Sequence, residues 1–417
     1  MTGVASEVIS TNFTVLKILI VNKFFYPRGG DCVVAMSTRR LLMERGHDVR
    51  VFAMHHPENI ELPDETGYAK EVNFAGGIKA KLAGVRRILG LGDIRRSVAE
   101  VLDDFRPDVV HLHNVHSYLS PWIGEEAARR GIRVVWTLHD YKLLCPSYSC
   151  RRPDGSVCEE CLHGDFQVIR YKCMKGSSAQ SLLADVEARY WNRKRLAAMT
   201  DVFIAPSHFM RNKMLEGGFP QLKVRTLHNF IDPRKSELLA EASHNPREDY
   251  FCYVGRLSEE KGVETLLKAA TDAGVRLKVA GGGPLTSQLT SRYASNPDIE
   301  FLGHLDAKGV VNLLSRAKAS VVPSEWYENN PLSVIESLCA GTPVIGAAIG
   351  GIPELISEQD GVLFTPGNAE ELSGILNAFD KRHPFNHKSI SERAVRKFSR
   401  DGHYDSLMEI YHGKDRE

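Results

Sequence analysis

Short apolar runs, each closed by a turn and followed by an amphipathic stretch, recur along this chain in two series. That alternation restricts the fold more than any other feature. The first series is Lys17–Asn22 (KILIVN), Asp48–Met54 (DVRVFAM), Asp108–His113 (DVVHLH), Arg133–His139 (RVVWTLH) and Asp201–Ala205 (DVFIA). Between its first two runs an amphipathic helix is expected from about Cys32 to Arg45, ended by Gly46. The second series is Tyr250–Val254, Arg276–Ala280, Ile299–Leu302, Ala319–Val322 and Pro343–Gly346, with a helix at Gly262–Ala273. Runs this short and this apolar, alternating with helices, read as parallel strands covered on both faces. An α/β chain with two doubly wound parallel sheets follows. Its 417 residues suit two or three domains at roughly 150 residues each. The boundary is placed near His228–Pro233, giving domains over 1–228 and 229–386. A helical tail over 387–417 is expected to pack back toward the first domain.

Charge and composition exclude several classes. The net charge of +1 does not suggest a nucleic-acid binder. Residues 1–228 carry 32 Lys and Arg against 25 Asp and Glu, so the excess of basic groups lies in the first half, which is expected to face something anionic. No run of 18 apolar residues reads as a membrane span. The stretch Phe13–Val21 is short, is interrupted by Lys17 and has no basic region before it, so a signal peptide is not expected. A cytoplasmic, reducing location follows, in which the eight cysteines are not expected to form disulfides.

Doubly wound sheets bind ligands outside the carboxyl ends of their strands, and a cleft between two such domains is the default site. Three segments of the second half lie there. Gly255-Arg256 follows a strand, and Lys261-Gly262 opens the next helix. Two cations at such a turn suit a diphosphate, Arg by forking across two oxygens and Lys as a point charge. In Glu328-Asn329-Asn330-Pro331, Asn330 reads as an N-cap and Pro331 as the first helical residue, ahead of Leu332. That helix would aim free amides at a phosphate, with Glu336 facing the cleft to accept ribose hydroxyls. Gly281–Pro284, with Gly282 at its centre, allows close approach of backbone to ligand. Neither a G-x-x-x-x-G-K-[ST] nor a G-x-G-x-x-G pattern occurs.

Taken with Gly29-Gly30 in the first loop and Pro323-Ser324, these segments resemble the family 4 retaining glycosyltransferases of the GT-B fold. Glu328 and Glu336, with seven residues between them, match that family's paired-glutamate motif. The resemblance covers nearly the whole chain. It implies two Rossmann-like domains facing across a cleft and transfer of a sugar from a UDP- or GDP-type donor, with retention. The acceptor it implies is a lipid-linked or oligosaccharide chain of a cell-surface polysaccharide. By the same resemblance, Arg256 and Lys261 neutralise the diphosphate and Glu336 binds ribose. Glu328, with Asn330, Pro331 and Leu332 after it, contacts the donor sugar. Gly29 and Gly30 approach from the first domain, and His113 lies near the transferred sugar, through its ring or its backbone carbonyl. Asn329-Asn330-Pro331 departs from the commonest form, which has glycine and an aromatic residue after the first Glu. No Asp-x-Asp occurs, in keeping with chemistry that needs no catalytic metal. A nucleotide-sugar epimerase of the same fold and a non-catalytic nucleotide-sugar-binding protein are the alternatives.

Three further features stand beside the donor residues. His116, His139 and Asp140 follow the same strands as His113 and are candidates on the acceptor side. The stretch Ile78–Val98 sets Lys79, Lys81, Arg86, Arg87, Arg95 and Arg96 against Asp93, with apolar residues at helical spacing. It reads as a peripheral contact with an anionic membrane surface on the inner face, or else as a solvated basic face. Five cysteines fall in an insertion at about 145–173. Cys145, Cys158, Cys161 and Cys173 are the set expected to hold a structural zinc or iron–sulfur group, with Cys150 as the spare.

Overall fold

The apolar runs pair side by side into two sheets, because strands buried on both faces must satisfy their backbone groups through neighbouring strands. The computed structural model describes residues 14–62, 68–72, 77–382 and 385–413. The first sheet holds β1 (Lys17–Val21), β2 (Asp48–Phe52), β3 (Val109–Leu112), β4 (Arg133–Thr137), β5 (Val202–Ala205) and β6 (Val224–Thr226). The second holds β7 (Phe251–Val254), β8 (Leu277–Ala280), β9 (Ile299–Gly303), β10 (Ala319–Val322), β11 (Val344–Ala347) and β12 (Gly361–Phe364).

Among the described residues the helices of the first domain are α1 (Gly30–Glu44), α2 (Ile78–Ile88), α3 (Asp93–Phe105), α4 (Trp122–Arg129), α5 (Ser178–Tyr190), α6 (Arg193–Met199) and α7 (His208–Glu216). Those that follow are α8 (Pro233–Ala242), α9 (Val263–Ala273), α10 (Thr286–Arg292), α11 (Ala307–Arg316), α12 (Leu332–Cys339), α13 (Ala369–Arg382), α14 (His387–Lys397) and α15 (Arg400–His412).

The strand orders are β2-β1-β3-β4-β5-β6 and β12-β11-β10-β7-β8-β9, with every pairing parallel. The order reverses direction between β1 and β3 in one sheet and between β7 and β10 in the other. Chains leaving such neighbours turn to opposite faces, which opens a crevice at their carboxyl ends. Each sheet also carries an edge strand, β6 or β12, beyond the runs read from the sequence. Both are short and only partly buried; β6 (VRT) shows no continuous apolar run, whereas β12 carries one in Val362-Leu363-Phe364.

The chain crosses between domains twice. At the first crossing Asp232 caps α8 by accepting from the amides of Arg234 and Lys235, and Pro233 occupies its first turn. The second crossing corrects the expectation of a single tail helix. α14 packs Ile390 and Ala394 into the core of the second domain, whereas α15 buries Tyr404, Leu407, Met408 and Tyr411 in the core of the first, beside α1 and β4. Phe398 and Ser399 separate the two helices, and Ser399 caps α15. His111 anchors α15 from inside the first sheet. Its Nδ1 lies 2.7 Å from the Tyr411 hydroxyl and its Nε2 2.7 Å from Thr137 Oγ1.

The basic stretch at 78–98 is not one uniform face. It divides into α2 and α3, and Arg87 is buried, donating to the carbonyls of Lys70 and Tyr118 and to Asp93. Arg95 bonds the Gly90 carbonyl and lies over the Trp122 ring. Lys79, Lys81, Arg86 and Arg96 remain exposed, beside Leu82. No helix among the described residues is long and apolar enough to cross a membrane.

Candidate active site

In the second domain the loops after β7 and β10 meet at the point where the strand order reverses. Three glycines let the neighbouring backbones touch. A Cβ on Gly262 would stand 1.9 Å from the Pro323 carbonyl oxygen, and one on Gly281 would stand 1.9 Å from that of Gly255. Gly283 is pressed against Leu257 in the same way, whereas Gly282 meets nothing nearer than Thr286 Oγ1 at 3.8 Å. The packing glycines are thus the two flanking Gly282. Backbone bonds from Gly255 to Ala280 and from Leu257 to Gly282 zip the loops after β7 and β8 together.

On this frame Lys261 reaches across to Glu328, with Nζ 2.6 Å from Oε1. The same carboxylate accepts from Ser324 Oγ at 2.7 Å. Burial by itself would raise the Glu328 carboxyl, but Lys261 and these hydrogen bonds outweigh it and hold the group below its ordinary value. The Lys261 ammonium also lies 5.1 Å from the centre of the Trp326 ring. Arg256 is exposed at the mouth, its carbonyl fixed by the Tyr253 hydroxyl at 2.7 Å.

The helix that follows begins one residue later than the sequence suggests. Pro331 occupies the cap position with no side-chain cap, and Leu332 is the first helical residue. Asn330 therefore does not cap. Its Oδ1 accepts from the Asn229 amide at 2.9 Å, its carbonyl accepts from Asn229 Nδ2, and its Nδ2 lies 3.3 Å from His228 Nδ1. Asn330 instead ties the start of α12 to the linker. An α12 first turn with no side-chain cap leaves amides that suit an incoming anion. Glu336 forms an ion pair with Lys235 of α8. Gly350 and Gly351 complete the floor: a Cβ on Gly350 would meet Glu328 backbone at 2.4 Å, and the Gly351 amide donates to the Glu328 carbonyl. This pair was missed in the sequence, although a double glycine shortly after the apolar run at 343–346 is the same signal that drew attention to the other loops.

The first domain faces this site with the loops after β1, β3 and β4. Gly29 is extended at the start of α1, and a Cβ on Gly30 would meet no protein atom within 4 Å. Packing among the described residues does not explain glycine at position 30. Asp31, not singled out from the sequence, accepts from Asn114 Nδ2 at 2.8 Å and faces Lys23 at 3.9 Å. Burial alone would raise its carboxyl, but Lys23 and His139 pull it below the usual range.

His113 is buried with Nδ1 2.8 Å from His139 Nε2. Its own Nε2 has no hydrogen-bond partner, and burial beside His111 and His139 holds the ring neutral. Its backbone carbonyl already accepts from Trp136 Nε1 at 2.8 Å, so the ring is the better candidate for a ligand contact. Asp140 accepts from the Lys142 amide. His116 goes elsewhere. It stacks on Trp136 and lies 3.5 Å from the buried Glu187, which also pairs with Lys142 at 2.9 Å. Both its ring nitrogens are buried.

The insertion bridges the domains. The Tyr327 hydroxyl donates to Glu159 Oε1 at 2.6 Å, and the Tyr327 ring packs against Phe209 and Tyr141. Burial pushes the Tyr148 hydroxyl up, and Asp140 and Glu260 add to that while Lys142 and Arg256 oppose it. The cysteines do not converge as expected. The Cys145 thiol hydrogen-bonds with Cys150 and Cys161, so the supposed spare is one of its partners. No three of the five sulfurs lie within 4.8 Å of one another, whereas tetrahedral thiolate sites need every pair at about 4 Å. All five thiols are free, and Cys158 and Cys173 are only half-buried.

Comparison with known proteins agrees with this architecture. The family model described as Glycosyltransferase Family 4 matches residues 28–235, and that described as Glycosyl transferases group 1 matches residues 235–394. An uncharacterised protein of the cps region of Klebsiella pneumoniae is 26% identical over 359 residues, covering 82% of this chain and 87% of its own. The amylovoran biosynthesis glycosyltransferase AmsK of Erwinia amylovora is 28% identical over 198 residues, 44% of this chain and 48% of its own. Among solved structures, Anabaena HepE in complex with UDP and glucose superposes with a TM-score of 0.62 at 17% identity, covering 95% of this chain and 100% of that one. Sucrose-phosphate synthase from Thermosynechococcus elongatus gives a TM-score of 0.66 at 18% identity, covering 95% and 98%. These two likenesses establish the GT-B fold.

Proposed function

The chain belongs to the family 4 glycosyltransferases, and on that premise we propose that it transfers a sugar from a UDP- or GDP-type donor to a lipid-linked or oligosaccharide acceptor, with retention, during assembly of a cell-surface polysaccharide. The observation that carries the donor assignment is the ion pair of Lys261 with the buried Glu328 just before the first turn of α12, which has no side-chain cap, with Arg256 exposed on the same loop as Lys261. A departing nucleoside diphosphate gains charge in the transition state, and pre-organised cations and amides stabilise that charge more than they stabilise the bound donor. Glu336, at the cleft side of α12, is assigned to the ribose hydroxyls. Arg256 and Lys261 supply the positive charge that a divalent ion supplies elsewhere, so donor chemistry is assigned without a catalytic metal. His113 is assigned to the transferred sugar, and His139 and Asp140 to the acceptor side.

The polysaccharide context draws on the cps-region and amylovoran relatives, and the nucleotide on the UDP-bound neighbour. The exposed basic residues of α2, with Leu82 among them, suit contact with an anionic membrane surface, where a lipid-linked acceptor would lie. The inner face of the cytoplasmic membrane is the location that fits this reading.

A panel of UDP-, GDP- and ADP-sugars tests the assignment by thermal stabilisation and donor hydrolysis. One nucleotide class is expected to raise the melting temperature, and the Arg256→Ala, Lys261→Ala double variant to abolish that rise. Equal stabilisation of the double variant overturns the site. Proton NMR of the first product bond decides retention against inversion.

A further inference from the structure

Outside the donor site, His208, His228 and Glu354 each offer one ligand atom, and all three atoms lie within 4.8 Å of one another. His208 opens α7 of the first domain, His228 lies on the linker, and Glu354 follows β11 of the second domain. The three straddle the domain junction. We propose that they form a site for a divalent transition-metal ion of the zinc class, which clasps the two domains together.

The ligand chemistry fits. Two imidazoles and one carboxylate are a zinc-type donor set that leaves a fourth position for water. The rings are also held as ligating imidazoles are held, with one nitrogen fixed by an outer oxygen. His228 Nδ1 lies 2.9 Å from the Pro206 carbonyl. A carbonyl can only accept, so Nδ1 carries the proton and Nε2 is the bare, ligating nitrogen. The contact with Asn330 Nδ2 is longer and does not alter that choice. His208 Nδ1 is turned toward Thr226 Oγ1 at 3.4 Å.

Glu354 is fixed as well. Its two carboxylate oxygens accept from the backbone amides of His208 and Phe209 at 2.8 and 3.4 Å, which caps α7 across the junction. A carboxylate with about four lone-pair positions keeps acceptor capacity for a metal after those two bonds. Lys397, the cation nearby on α14, donates to the Glu354 backbone carbonyl rather than to the carboxylate. Metal–ligand distances of about 2.0–2.2 Å require each ligand atom to move inward by under about 1 Å. That is within reach of side-chain adjustment. Because His228 also adjoins Asn330, the ion would brace the loop that introduces α12.

The test uses the full chain, stripped with EDTA, dialysed, and titrated with zinc in a calorimeter. One equivalent is expected to bind and to raise the melting temperature. His208→Ala removes an exposed side chain, so it is expected to melt like the parent without zinc. It should weaken zinc binding by at least about tenfold and abolish the thermal shift. Glu354→Gln is expected to weaken binding likewise. The Cys145→Ser, Cys161→Ser pair is expected to leave it unchanged. Absence of saturable binding near one equivalent overturns the proposal. So does binding that survives His208→Ala, or binding that disappears with the cysteines instead. None of these outcomes depends on donor turnover, so they stand apart from the assignment of the reaction.

Discussion

The Lys261 ammonium lies 2.6 Å from Glu328 Oε1, joining two residues 67 positions apart where β7 and β10 release their loops. Arg256, five residues before Lys261, is exposed at the mouth of the same crevice. The two cations therefore differ in what their removal does to the protein.

Lys261→Ala takes away a cation assigned to the diphosphate and leaves a buried carboxylate unpaired. It is expected to lower kcat/KM by roughly a hundredfold or more and to destabilise the fold by up to about 3 kcal/mol, the low end for a broken buried pair because Lys261 is partly exposed. Arg256→Ala is expected to lower kcat/KM comparably while changing stability by no more than about 0.5 kcal/mol. Steady-state kinetics and urea denaturation of both variants check the contrast. An equal loss of stability in the two contradicts it.

Glu328 also makes stability depend on pH in a definite direction. Its folded-state value lies below the ordinary carboxyl value of 4.5. The stabilisation from its ionised form is therefore complete above that value and is lost as pH falls through the folded one. In Glu328→Gln this dependence is absent, so the stability gap between parent and variant is expected to narrow as the medium is acidified from pH 7. Denaturant titrations across that range measure the gap, and a gap that widens in acid refutes the ion-pair account.

Two histidines, the buried His111 and the half-buried His403, act in the same direction at higher pH. Burial pushes His403 down to about 4 and His111 to about 3. His403 Nδ1 bonds the His228 carbonyl and secures α15 to the linker, and His111 holds Tyr411 and secures it to the first domain. Their neutral forms stabilise the fold fully above the ordinary histidine value of 6.5, and that contribution declines as pH drops toward 4. For His403 it amounts to about 3 kcal/mol at most, at about 1.4 kcal/mol per pKa unit. His403→Asn, which keeps a donor for the His228 carbonyl, is expected to flatten the curve between pH 6.5 and 4. An unchanged slope excludes His403 as a contributor.

Glycines separate packing from ligand approach. Gly262→Ala and Gly281→Ala each put a Cβ 1.9 Å from a carbonyl oxygen, at φ of 65° and 126°. Each is expected to destabilise the second domain by more than about 2 kcal/mol. Gly30→Ala meets no protein atom within 4 Å and is expected to leave stability within about 0.5 kcal/mol. It is expected to raise the KM for the donor, if the loop approaches it as assigned. Calorimetric melting of the three variants beside donor kinetics distinguishes the two roles.

The central strands and the loops at their carboxyl ends were legible in the order of residues, because both rest on local rules. An apolar run such as Lys17–Val21 announces a buried strand, and glycine or a cation directly after such a run announces a strand-to-helix loop at the ligand end of the sheet. The edge strand β6 escaped because three half-solvated residues carry no such run, whereas β12 carried one in Val362-Leu363-Phe364 that was passed over. What no local pattern contained was the choice of neighbour. That Lys261 meets Glu328, that Asn330 serves the linker instead of capping α12, and that Cys150 joins Cys145 all follow from how loops distant in the chain pack. The same holds for His113 and His116, three residues apart. One turns toward His139, and the other stacks on Trp136 beside the buried Glu187. Periodicity determined the elements and the end of each sheet where ligands bind. Only the tertiary fold decided the partners, because burial and hydrogen-bond satisfaction are settled by whatever element lies across the gap, and sequence spacing does not record that.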